Sequence, residues 1–312
     1  MRNLSRRALQ ALLVLVLAGL SGWLSAQSAY KYRDSNGQWV FTDQAPAAEA
    51  RSESFSVEHE NDALHLSVER HDDGGSMQLI AVNDCLCSVT FQVLIRQSGI
   101  TAIPAGADYR ATLGPGTRGV MVQADIGGAK AGLGYVWRAA LGSPDAVHKP
   151  SRPYRVPFDV GSTYVISQAY PSRFTHTTPE SQYAVDIALP DGTPVYAARE
   201  GTVINARHDF FRGAADPVMM DQANVIEILH DDGTIGVYAH LRWDSIRVRV
   251  GAHVVRAQYI ADSGNTGFSS GPHLHFAVIR NAGTTDVSVP IQFAGIAGVG
   301  VTPETQMQLT AY

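Results

Sequence analysis

The stretch Ser263-Gly264-Asn265-Thr266-Gly267-Phe268-Ser269-Ser270-Gly271-Pro272-His273-Leu274-His275-Phe276 decides how the chain is read. Its first ten residues are Gly-, Ser- and Asn-rich and close on Gly-Pro, which is loop chemistry. The His-Leu-His-Phe-Ala-Val-Ile that follows alternates with the period of a strand. Side chains two apart on a strand project to one face, so His273 and His275 stand side by side, their backbones about 6–7 Å apart. Two imidazoles placed that way can address one small ion.

Working outward, other metal-compatible side chains occur in strand-like or loop settings upstream. Asp186 closes Tyr183-Ala184-Val185-Asp186-Ile187, just before the turn Pro190-Asp191-Gly192-Thr193-Pro194. His240 follows a strand in Val237-Tyr238-Ala239-His240-Leu241. His176 sits in the Thr/Pro-rich loop Phe174-Thr175-His176-Thr177-Thr178-Pro179. One carboxylate and four imidazoles exceed what a catalytic zinc site requires, namely three protein ligands and an open position. The surplus histidines are suited to moving protons. His208, His230 and His253 lack such surroundings and are expected at the surface.

The chain opens with basic Met1–Arg7, a largely apolar Ala8–Leu20 and a small, semi-polar Ser21–Gln27, the layout of a secretory signal over residues 1–26. Its removal takes away three arginines and no acids, moving the formal charge from −5 to −8. An acidic, exported chain with no stable membrane span after processing is expected, periplasmic or secreted. Nucleic acid is an unsuitable partner for such a surface. The only cysteines, Cys85 and Cys87, are too few and too close to hold zinc alone. As an i, i+2 pair they can be bridged only across a bulge or turn, and both the bonded and free states are open.

Aromatic alternation on either side of Asn36-Gly37 in Tyr30–Asp43 predicts a hairpin with a type I′ turn, within a hairpin and linker segment over 27–52. Its Tyr-Lys-x-x-Asp-x-x-Gly-x-x-x-Phe-x-Asp pattern resembles a small domain of unknown function found at the N-termini of exported bacterial proteins. Seven short period-2 runs follow, at Ser54–Glu58, Leu64–Val68, Met77–Val82, Val89–Ile95, Tyr109–Leu113, Val120–Ala124 and Tyr135–Leu141. They predict a β-sandwich over 53–142. A Pro-rich, locally basic segment over 143–157, with Lys149, Arg152 and Arg155, is expected to link it to a second β domain over 158–312. The expected fold class is therefore all-β throughout.

Taken together, Tyr183-Ala184-Val185-Asp186, Asp191-Gly192-Thr193-Pro194-Val195, Tyr238-Ala239-His240-Leu241 and Ser263 through Phe276 resemble the lysostaphin/LytM-type zinc endopeptidases. That family cuts peptide crosslinks of bacterial peptidoglycan. The resemblance covers roughly residues 154–293 and implies an antiparallel β domain with a substrate groove, one Zn2+ per chain and peptidoglycan peptide stems as partners. It implies that Asp186 and His275 are zinc ligands and that His240 and His273 are the unliganded catalytic pair that orients water and steadies the oxyanion, either of the two being open as the general base. It makes Asn224 a substrate-groove residue. The family's usual His-x-x-x-Asp pattern finds Gln182 four residues before Asp186. Some exported members instead carry Ser/Thr-His-Thr, a short loop and Tyr-Ala-x-Asp, and this version makes His176 the third metal ligand. By the same resemblance the segment between Arg207 and Ala223 walls the groove. Phe210, Phe211 and Met219 are then candidate substrate contacts, unless they pack against the N-terminal half.

Two other functions are compatible with parts of the sequence. A catalytically inactive relative would bind cell wall or activate another hydrolase, although such relatives usually lack several of these histidines. A serine hydrolase built on Asp262-Ser263-Gly264 lacks the flanking glycines of a nucleophile turn. The N-terminal half, with no catalytic constellation of its own, is a candidate for intramolecular inhibition of the groove.

Overall fold

The computed structural model describes residues 28–33, 39–42, 53–56, 64–127, 132–172 and 174–312. The signal segment, the Asn36-Gly37 turn and the linker residues 43–52 lie outside them. Among the described residues there is no α-helix, only strands and two single-turn 3-10 segments. Among the described residues no helix is long and apolar enough to cross a membrane.

The chain divides into two compact units, Met1–Glu60 and Asn61–Tyr312. In the first, Ser28–Arg33 pairs antiparallel with Trp39–Thr42, as the aromatic alternation predicts, with Tyr32 opposite Val40. The segment expected as the first sandwich strand behaves differently. Glu53–Ser56 pairs with the other edge of Ser28–Arg33 and completes a three-stranded sheet. A period-2 pattern identifies a strand but not its partner.

In the second unit the remaining six runs form two three-stranded antiparallel sheets. Ser76–Asn83 lies between Leu66–Asp72 and Arg118–Asp125, and Val89–Ser98 between Asp108–Leu113 and Leu133–Leu141. Cys85 and Cys87 occupy the bend between Ser76–Asn83 and Val89–Ser98 and are disulfide-bonded, their Cα atoms 5.1 Å apart. The required turn is supplied by Asn83, whose amide donates to Cys87 O and Gly114 O and whose Oδ1 accepts from Cys85 N.

Residues 163–310 build a nine-stranded antiparallel sheet. Its order runs His253–Val254, Gly201–Arg207, Val225–Leu229, Ile235–Ala239, Leu274–Asn281, Val185–Ile187, Thr163–Gln168, Gln308–Thr310, with Asp286–Ser288 also paired to Leu274–Asn281. The two faces of this sheet bury different partners. Val185, Ile187, Tyr238, Phe276 and Val278 join a core that includes Val195, Ile260 and Ala261 from the small sheet formed by Pro194–Tyr196 and Tyr259–Asp262. Ala184, Ile235, Ala277 and Ile279, on the other face, share a core with Leu79, Phe91 and Ile95 of the sandwich. Asp186 and His275 alternate with Val185 and Phe276, so they belong to the sandwich-bearing face.

The Pro-rich segment is wound tightly onto this unit. Tyr154 and Val156 are buried, Tyr154 N donates to Gln292 O, and Lys149 N donates to Asp232 Oδ2. Arg199 is ion-paired to Asp232 at 2.7 Å and to Asp231.

Candidate metal centre

Strand register assembles the site. Asp186 lies directly opposite His275, and His275 opposite Ala239, one residue before His240. Gln168 is the cross-strand partner of Asp186 on the other side, and its amide grips Thr175, donating to Oγ1 at 3.0 Å and accepting from the backbone N at 3.3 Å. That clamp presents His176 beside Asp186. His176 Nε2 is 3.1 Å from Asp186 Oδ2, and His275 Nδ1 is 2.9 Å from Asp186 Oδ1. One donor atom from each of the three lies within 4.8 Å of the other two.

These residues fit a divalent cation on grounds internal to the site. His176 is only 3% exposed, and neither ring nitrogen has a hydrogen-bond partner, Nε2 being misaligned for one with Asp186 despite its proximity. A buried imidazole with both nitrogens unsatisfied is costly unless one ligates an ion. The donors are also of the types that zinc takes, two imidazoles and a carboxylate. Burial alone would raise the Asp186 carboxyl, but the contacts from His176 and His275 outweigh it and hold the acid well below the usual carboxylate range. The carboxylate is therefore ionised, as a ligand must be.

His240 and His273 flank this trio, their ring centroids 4.6 Å apart, and His240 is 5.9 Å from His275. His273 Nε2 is 3.8 Å from Asp186 Oδ1. Each ring is fixed by a backbone carbonyl that can only accept: His240 Nδ1–H donates to Thr266 O at 2.6 Å and His273 Nδ1–H to Gly271 O at 2.9 Å. Each neutral ring therefore leaves Nε2 as a bare acceptor. Burial, reinforced by His273 and His275, pushes the His240 pKa down to about 3. His240 also holds a left-handed backbone, φ 61°, an unusual conformation for a non-glycine residue.

The loop that opened the sequence reading supports these rings. Gly264 bridges to His273 while Ser263 bridges to Leu241. A Cβ at Gly264 would fall 2.6 Å from both Arg242 N and Cα, so no larger residue fits. Ser263 is fully buried and donates its hydroxyl to Pro190 O at 2.7 Å, which makes it a turn residue and removes it as a nucleophile.

Asn224 is placed beneath the cleft rather than on it. It is fully buried; its Nδ2 donates to Phe210 O at 2.6 Å and Leu241 O at 3.1 Å, and its Oδ1 accepts from Phe210 N at 2.9 Å. The segment Arg207–Ala223 is thereby anchored, and Gly213–Ala214 forms a short parallel pairing with Gly267–Phe268. A cavity of about 950 Å³, bordered by Phe211, Met219, Arg242, Trp243 and Thr266, opens next to His240. Phe210 does not line it and instead lies under the Arg207 guanidinium.

The surface expectation for His230 is corrected. It is 3% exposed, its Nδ1 donates to Glu200 O at 2.8 Å, and burial pushes its pKa down to about 4. The ring turns inward because Gly236 leaves room; a Cβ there would meet His230 Nε2 at 2.9 Å. The surrounding His-Asp-Asp-Gly reads as an exposed turn and carries no sign of this.

Residues 180–287 match Peptidase family M23. His176 precedes the matched span. The chain is 34% identical over 131 residues to an uncharacterized metalloprotease of Buchnera aphidicola, covering 41% of this chain and 32% of the relative. It is 34% identical over 125 residues to the peptidoglycan DD-endopeptidase ShyA of Vibrio cholerae, covering 39% and 26%. The chain thus matches less than a third of the length of these curated relatives. The solved catalytic domain of the antimicrobial peptidase lysostaphin from Staphylococcus simulans is 26% identical with a TM-score of 0.29, covering 41% of this chain and 87% of that domain. The C-terminal half of this chain carries a domain of peptidase family M23.

Proposed function

We propose that the chain is a zinc-dependent endopeptidase that hydrolyses peptide crosslinks of bacterial peptidoglycan outside the cytoplasm. The observation that carries this reading is the convergence of His176, Asp186 and His275 to within 4.8 Å, flanked by two further imidazoles. The peptidoglycan substrate class rests on the M23 match and on relatives such as ShyA, whose name describes a peptidoglycan DD-endopeptidase.

In this reading His176, Asp186 and His275 hold one zinc ion. When bound, zinc supplies Lewis-acid polarisation of a carbonyl and acidification of water. The protein's own part is proton transfer. His240 and His273 both present a bare Nε2, because each Nδ1–H is committed to a carbonyl. Either ring is thus set to accept a proton first and return it to the leaving amine afterwards. His240, kept neutral by burial, has no second N–H with which to steady an oxyanion at the outset. It acts as an acceptor until it is protonated. His273 Nε2 lies 3.8 Å from Asp186 Oδ1. Asn224 positions the groove wall through Phe210 and Leu241 without touching substrate.

The sandwich bounds the groove at one end. Ala277, two residues along from His275 on the same face, already belongs to the core shared with the sandwich. Its edge therefore stands about 7 Å along the strand from the site, and it acts as a fixed wall that limits which wall fragments enter.

The test is digestion of purified sacculi followed by mass analysis of released muropeptides. Crosslinked species should disappear, the reaction should stop with 1,10-phenanthroline, and zinc should restore it. Intact crosslinks in the presence of zinc would overturn the reading in favour of an inactive wall-binding or activating protein.

A further inference from the structure

A second cavity, of about 470 Å³, lies among Arg152, Arg155, Arg256, Ala257, Gly295 and neighbouring residues, and no acidic side chain lines it. It shares no lining residue with the larger cavity beside His240 or with the His–Asp cluster. Three guanidinium groups around one opening are unusual in a chain of formal charge −5. Like charges gathered at one opening repel, and among the described residues only Arg152 of the three is ion-paired, to Glu200 at 3.6 Å.

The arginines are held in place while keeping donors free. Arg155, nine-tenths buried, stacks over the Tyr196 ring at 4.8 Å and donates Nη1 to Val156 O at 2.6 Å; its other donors have no protein acceptor among the described residues. Arg256 donates Nη2 to Pro153 O at 3.2 Å, whereas its Nε is buried with no partner at all. Burial, then the charges of Arg152 and Arg155, push Arg256 below its ordinary pKa, the signature of a cation short of counter-charge. Two acids stand near the cluster without closing an ion pair to Arg155 or Arg256: Glu200, 3.6 Å from Arg152, and Asp159, which accepts from Tyr196 OH.

We propose that this cavity is an oxyanion-binding site, taking a phosphate or carboxylate group between Arg152, Arg155 and Arg256. The planar guanidinium fork matches both anions, and a buried orphan N–H gains most from an ionised acceptor. The arrangement draws on the basic segment 143–157, which the M23 match at 180–287 does not include.

Calorimetric titration of the full chain with inorganic phosphate and, separately, glutarate tests this. Each titration is run with and without 1,10-phenanthroline, an uncharged chelator, so that an anion on a metal is recognised by its loss. Saturable, salt-sensitive binding that persists in the chelator is expected, and the tighter of the two ligands identifies the source. Arg256→Gln should weaken it about tenfold. Arg152→Gln, at a largely exposed side chain that is not required for folding, should weaken it several-fold. Absence of saturable binding by either anion, binding abolished by the chelator, or unchanged affinity in both variants would overturn the site. None of these outcomes depends on hydrolytic activity.

Discussion

Asp186 accepts at one oxygen from His275 Nδ1, 2.9 Å away, while its other oxygen lies 3.1 Å from His176 Nε2. The first contact is written into the sheet, because Asp186 and His275 are cross-strand partners. The second depends on a loop, which the Gln168 amide clasps at Thr175, the residue next to His176. Gln168→Ala should therefore loosen His176 specifically. Zinc affinity is expected to fall about 10–100-fold, with little change in urea midpoint, as measured by competition with a chromogenic chelator.

Asn224 illustrates support from below. Its replacement by alanine leaves the buried Leu241 carbonyl and the Phe210 N–H and carbonyl without their side-chain partner. A loss of about 2–4 kcal/mol in urea unfolding is expected. Activity, if assayed well below the unfolding transition, should fall mainly through KM, since Phe211 and Met219 on the released segment border the cavity.

Gly264 is a test of close backbone approach. Alanine at this position meets Arg242 backbone atoms at 2.6 Å, and those atoms cannot rotate away. Gly264→Ala should cost about 3 kcal/mol or more in stability, whereas Gly271→Ala, with open space around its Cβ position, should be tolerated. Thermal melts of the two variants make the comparison.

Asp286 carries a pH dependence. It accepts from Leu141 N at 2.9 Å, joining the sandwich to the nine-stranded sheet, and burial, with Glu227 and Glu180 adding to it, pushes its pKa up to about 7. An acid whose folded pKa is raised binds its proton more tightly when folded, so stability falls as pH rises from about 4 through 7. Asp286→Asn keeps the acceptor and removes the titration. The Tm advantage of the variant over the wild type should grow from pH 4 to about pH 7 and then level off; a constant difference across that range would contradict the assignment.

The shared core between sandwich and sheet makes a solubility prediction. A chain beginning at residue 143 would bare Ile235, Ala277 and Ile279, which are at most 6% exposed in the intact protein. Such a chain should aggregate unless those positions are made polar, as light scattering after purification would show.

Much of this was legible in the sequence, for identifiable reasons. Period-2 alternation marks the longer strands but misses short ones such as His253–Val254, Tyr259–Asp262 and Gln308–Thr310, and the His-x-His spacing sets His273 and His275 two residues apart in an extended segment. What alternation leaves out is long-range partnership. It did not distinguish the strand Glu53–Ser56, which pairs back to Ser28–Arg33, from the sandwich strands that follow it. Nor did it reveal that the face carrying Asp186 and His275 is the one the sandwich covers, because both faces of Leu274–Asn281 are apolar. His230 was missed because the cavity that admits its ring is made by an absent side chain at Gly236, six residues away. Asn224 is expected from the sequence as a groove residue, but it is fully buried and acts through backbone groups that no motif displays.

In the proposed reading His176, and not Gln182, completes the metal centre. Zinc content of the purified wild type, His176→Ala and Gln182→Ala proteins, measured by mass spectrometry of the dialysed samples, tests it most directly. The account predicts about one zinc per chain in the wild type and Gln182→Ala, and a loss of most of it in His176→Ala. Retained zinc in His176→Ala together with loss in Gln182→Ala would contradict it.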